Sequence, residues 1–116
     1  MGATTSQRLG RDGDEGAKAG KVVSIENPSD YEVVSRRLKR LLAEGDYEIK
    51  AHARQRMHER KYLVGDVVNV LRLGIIVSHR FEKGTWRWKV RGKTVEGKSA
   101  TCIVALESSL VVVTII

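Results

Sequence analysis

The sequence is short of cysteine, of long apolar runs and, over its first residues, of large side chains, and each shortage excludes something. Cys102 is the lone cysteine, so no internal disulfide framework and no cysteine-built zinc site can form. No stretch approaches ~20 consecutive apolar residues, and the N-terminus has no apolar signal region; neither a membrane span nor a secretion signal is expected. A cytoplasmic protein is the corresponding expectation. Residues 1–20 offer Leu9 and little else that is large and apolar. Such a segment cannot bury enough surface to offset its ordering entropy, so residues 1–28 are read as a disordered tail.

What is present suits one domain, over residues 29–116. The chain of 116 residues is 41% hydrophobic and 30% charged, enough for a core and too short for two. Lys and Arg outnumber Asp and Glu by 21 to 14, a net charge of +7. The tail contributes none of it, because Arg8, Arg11, Lys18 and Lys21 are matched by Asp12, Asp14, Glu15 and Glu26. A basic surplus on a small folded domain suits nucleic acid as a partner, although many soluble proteins carry one without that role.

Ser29 and Glu32 have capping-box spacing, and Val34, Leu38, Leu41 and Leu42 form one helical face that Gly45 ends. The other face, with Arg36, Arg37, Lys39 and Arg40, reads as solvated. After a short extended piece at Tyr47–Lys50, Ala51–Tyr62 reads as a second helix. A third, capped or started by Asp66, is apolar almost all round and ends at Gly74. From Ile75 the period becomes two. Ile75, Val77, His79 and Phe81 alternate with Ile76, Ser78 and Arg80, a turn at Glu82–Thr85 follows, and Trp86–Arg91 alternates again. Two apolar runs, Ala100–Leu106 and Leu110–Ile116, suggest strands at the centre of a sheet covered on both faces or nearly so. The expected fold is α+β, with N-terminal helices packed on a four-stranded antiparallel meander.

Two constellations could carry chemistry. His52, Arg56 and Arg60 recur at i, i+4 and i+8, within an arc of about 80° on the second helix. Guanidiniums bind phosphate oxygens and an imidazole moves protons near neutral pH, so the stripe suits a phosphodiester. Equally, helix surfaces are rich in arginine and a single histidine is commonly inert. On the strand, Arg87, Lys89 and Arg91 share one side and Trp86, Trp88 and Val90 the other. That arrangement reads either as a phosphate-tracking row with tryptophans in the core, or with the rings exposed for base stacking. No metal ligand set and no cofactor motif is visible. His79 reads as a core histidine, and Cys102 as a small hydrophobe.

The run from Gly45 to Ile116 resembles a bacterial family of unknown function, numbered 4258. The resemblance rests on His52-Ala53, Arg56-Met57, Glu59-Arg60, Leu71-Arg72-Leu73-Gly74, Trp86 to Gly92, and Val112-Val113-Thr114. It implies a domain like the RelE-type toxin ribonucleases, with His52 and Arg56 as the best catalytic candidates and Arg60 next. The function then expected is metal-independent RNA cleavage within a toxin–antitoxin pair. Arg87, Lys89 and Arg91 would hold the RNA, naked or on the ribosome, and an antitoxin protein would be the partner. The alternatives are a non-catalytic module that binds nucleic acid or protein, and an orphan domain whose charge serves only solubility.

Overall fold

A computed structural model describes residues 27–116, so the tail expectation over residues 1–26 lies outside the described residues. Its last two positions are tied down. The Pro28 carbonyl accepts a hydrogen bond from the Trp88 indole at 2.8 Å, and Asn27 Oδ1 accepts from the Ser29 amide and hydroxyl.

The elements follow as α1 (Tyr31–Ala43), β1 (Tyr47–Ile49), α2 (Ala51–Arg60), α3 (Val64–Leu73), β2 (Ile75–Glu82), β3 (Thr85–Lys93), β4 (Ser99–Leu106) and β5 (Leu110–Ile115). The class is α+β, as expected, but the sheet has five strands instead of four, in the order β1-β5-β4-β3-β2. β2 to β5 form the antiparallel meander. β1 adds in parallel to β5, pairing Tyr47 with Leu110 and Ile49 with Val112. The extended piece expected at Tyr47–Lys50 is this fifth strand; its place in the sheet was not foreseen, because its partner lies at the far end of the sequence. β5 is therefore interior, which spares an apolar edge.

Local chemistry explains the boundaries. The helix start falls on Asp30 and not on Ser29. The Asp30 carboxylate accepts from the Val33 amide, whereas the Ser29 hydroxyl is engaged by Asn27. Gly45 adopts φ +74° just beyond the end of α1, the left-handed stop its position suggests. Asp66 caps α3 from inside its first turn: one carboxylate oxygen accepts from Leu63 N at 2.9 Å, the other from Val95 N at 3.0 Å in the β3–β4 loop. α3 is less buried than its composition suggests. Val67, Val70 and Leu71 enter the core, but Val64 and Leu73 are exposed.

All three helices contribute to one apolar cluster on one face of the sheet. Val34, Leu38, Ala53, Met57, Val67, Val70 and Leu71 pack there with Trp88, Val90, Cys102, Val104, Leu110 and Val112. Among the described residues no helix covers the other face, so the expectation of two covered faces holds only in part. Ala105 and Val111 are buried there, while Thr101, Ile103 and Thr114 stay partly open. Bulges reset the alternation twice. One at Val77 puts Ile76 with His79 on the helix side and leaves Ile75 opposite Arg91 on the open side, correcting the simple period-two reading of β2. The other leaves Val113 without a partner in β4.

The end of α3 crosses β3 closely. A Cβ on Gly92 would lie 2.8 Å from the Val70 carbonyl oxygen and 3.1 Å from Gly74 Cα; one on Gly74 would collide with the carbonyls of Val70 and Arg91. The two motif glycines thus face each other at one crossing, where only a bare backbone fits.

Candidate functional site

α2 presents Ala53 and Met57 to the core against β5, which turns His52, Arg56 and Arg60 along its accessible flank. His52 and Arg60 are exposed. Arg56 is half-buried and forms an ion pair with Glu59 at 3.5 Å, and Glu59 also accepts from Gln55. The stripe is thus real as geometry, with one carboxylate inside it. The N-cap residue of α2, Lys50, makes no side-chain cap bond, and the first turn holds His52; the partial positive charge of that helix end lies beside the imidazole. Arg54 turns back to donate to the Ile49 carbonyl, and so belongs to the joint between β1 and α2.

The strand row lies elsewhere. Trp88 and Val90 are each 1% exposed beneath the helices, so Arg87, Lys89 and Arg91, which alternate with them, stand on the open face. Of the two orientations weighed from the sequence, the one with tryptophan in the core holds: Trp88 is fully buried and Trp86 half-buried against His79 and Phe81. Cross-strand pairing brings Arg80 directly opposite Arg87. Glu82 Oε1 sits 3.8 Å from Arg80 and 3.7 Å from Arg87. Arg87 keeps only 18% of its side chain accessible, and its Nε is buried without a hydrogen-bond partner among the described residues. Lys89 and Arg91 have no ion-pair partner among the described residues.

The α2 stripe and the strand row do not converge. α2 lies on the helix side over β5, and the row lies on the open side of β3, with β4 between. Among the described residues, the imidazole and the strand cations therefore lie on opposite sides of the sheet.

Sequence reasoning passed over Arg80, although the hairpin turn at Lys83-Gly84 fixes its pairing with Arg87. It also passed over the Tyr31 hydroxyl, which meets His79 Nδ1 at 2.8 Å. His79 is accordingly a half-buried, hydrogen-bonded histidine beneath the start of α1. Cys102 is buried and its thiol is pushed up to about 12 by desolvation, which makes it inert as a nucleophile. Among the described residues, no three His, Cys, Asp or Glu side chains gather as metal ligands, and no helix is long and apolar enough to cross a membrane.

A family model described as a domain of unknown function, DUF4258, matches residues 49–116. No curated protein and no solved structure matches the chain. The family match takes in α2, α3 and the meander, and leaves α1 outside.

Proposed function

We propose, for a chain that belongs to the DUF4258 family, that the domain binds RNA on the open basic face of its sheet. The observation that carries this reading is the row of Arg80, Arg87, Lys89 and Arg91 on two paired strands, with Glu82 as the carboxylate beside it. Alternate strand residues are about 6.8 Å apart, a pitch that suits successive phosphates of an extended single strand. Cations on phosphates release counterions, so affinity falls as salt rises.

Fluorescence anisotropy with a labelled single-stranded RNA across a salt series tests it. The triple variant Arg87→Gln, Lys89→Gln, Arg91→Gln is expected to lower the log–log slope by about 2, at roughly 0.7 per lost phosphate contact. A flat salt response in the wild type, or an unchanged slope in the variant, removes the reading.

A second reading, RNA cleavage by a RelE-like, toxin-type endoribonuclease, is favoured by the placement of His52, Arg56 and Arg60 on one accessible flank beside a helix N-terminus. In that reaction the ribose 2′-oxygen forms a bond to the adjacent phosphorus as the bond to the 5′-oxygen breaks. His52 takes the hydroxyl proton or supplies one to the leaving oxygen, water exchanging the other, and Arg56 and Arg60 neutralise the phosphate. Arg56 would exchange Glu59 for the phosphate. The proposed setting is the cytoplasm, with RNA or the ribosome as target and an antitoxin protein as partner. Inducible expression of wild type, His52→Ala and Arg56→Ala, with growth and RNA integrity followed, decides it. Arrest and cleavage that depend on His52 support it; a wild type that neither arrests growth nor cuts naked or ribosomal RNA refutes it.

A further inference from the structure

α1 lies outside the family match, yet it carries the densest run of arginine in the chain. Among the described residues, Val33, Arg36, Arg37 and Arg40 line an open hollow of about 390 Å³ on its flank. Spacings of three and four residues place these side chains next to one another. Arg36 has one partner, Glu32 at 3.7 Å, and both are exposed, where an ion pair is weak.

Arg37 differs from its neighbours. It is half-buried, and its Nη1 is inaccessible with no hydrogen-bond partner among the described residues. Desolvation, and after it repulsion from Arg40, lowers its pKa from the usual value without discharging it. The rest of that guanidinium lines the hollow beside two more of the same sign, a setting that suits an anion with several acceptor oxygens. A single carboxylate brings one charge and two oxygens, too few for three planar donors. A phosphate group brings up to two charges and several oxygens, and matches guanidinium forks in geometry.

We propose that Arg36, Arg37 and Arg40 form a phosphate-binding site on α1, which takes a phosphoryl group from a free phosphorylated molecule or from a nucleic-acid backbone. The site stands apart from the sheet-face row and does not rest on that surface binding RNA.

The test is a titration of the full chain at constant ionic strength, followed by the amide resonances of α1 and the Arg37 Nε–Hε signal. The probes are inorganic pyrophosphate, a single-stranded RNA oligomer and polyglutamate. Pyrophosphate is expected to shift the Arg37 signal saturably. Arg37→Ala weakens binding about tenfold or more, as loss of a charge-assisted hydrogen bond does. Arg36→Gln with Arg40→Gln weakens it too, and leaves the half-buried Arg37 in place should Arg37→Ala disturb the helix. RNA that shifts the same signal assigns the phosphate to a backbone; a response to pyrophosphate alone assigns it to a free phosphorylated ligand. A response confined to polyglutamate, or no saturable shift with any probe, overturns the proposal. Signals from β3 are read in the same spectra, so failure of the sheet face is distinguished from failure here.

Discussion

The two sides of β3 differ by one step along the chain and do opposite work. Trp88 and Val90 lie beneath the helices, and Trp88 spends its one polar group on the Pro28 carbonyl. Arg87, Lys89 and Arg91 stand on the side that none of the three described helices covers. The difference teaches that a single strand can serve the core and the surface at once, because parity sends alternate side chains under the helices and leaves the others free for the RNA binding proposed above. Substitutions on one side should then act on unfolding alone, and on the other side on ligand affinity alone.

The strongest challenge to that division is Trp88→Ala. It opens a large cavity and removes the indole hydrogen bond, so denaturant unfolding should show a loss of about 3–5 kcal/mol. A loss under 1 kcal/mol would mean that the helix side does not carry the fold. Gly92→Ala comes next. Its Cβ would press on the Val70 carbonyl and on Gly74, and overpacking of this kind costs about 1–3 kcal/mol, read as a lower midpoint with an unchanged slope.

Cys102 gives the third. Its folded pKa of about 12 lies above that of an exposed thiol, so its neutral form is favoured by folding. Below the unfolded value near 8.5 the thiol is neutral in both states and there is no penalty. Between that value and about 12 the unfolded chain ionises first, and stability falls by up to about 1.4 kcal/mol per pH unit. Wild type should therefore lose about 1–2 kcal/mol more than Cys102→Ala between pH 8 and pH 10; parallel curves would place the thiol in water.

The smallest effect is expected on the open side. Lys89→Gln with Arg91→Gln should move unfolding free energy by less than about 0.5 kcal/mol per site while weakening RNA binding. A large fall in stability would show that the row is structural and that the two sides are not independent.

Alternation made β3 readable from the sequence, since six residues repeated one pattern with tryptophan on one side and cations on the other. The helical face of α1 and the left-handed stop at Gly45 were legible for the same reason: each is a local property of a short window. Three features were not. β1 was legible as an extended piece at Tyr47–Lys50, but its parallel pairing with β5 lies across the whole domain, and no local signal announces it. The bulge at Val77 shifts parity without a glycine to mark it. The cap fell one residue later than Ser29, because Ser29 and Asp30 are comparably good caps and Asn27 took the serine. For the candidate site, spacing along α2 was enough to place His52, Arg56 and Arg60 on one flank. Sequence gave no sign that Glu59 occupies Arg56, or that the strand row lies on the far side of the sheet, because both depend on packing.

The place of β5 bears on the order in which the domain assembles. β5 is the last of the five strands to leave the ribosome, yet it lies between β1 and β4. A nascent chain that has not reached Leu110 has a helical half and a three-stranded hairpin sheet, with β1 unattached. The contacts that join them span some of the longest sequence separations in the fold, and closing such loops late slows folding. Until then the apolar edge of β4 is bare, and a chaperone or a neighbouring chain has its best opportunity to bind it.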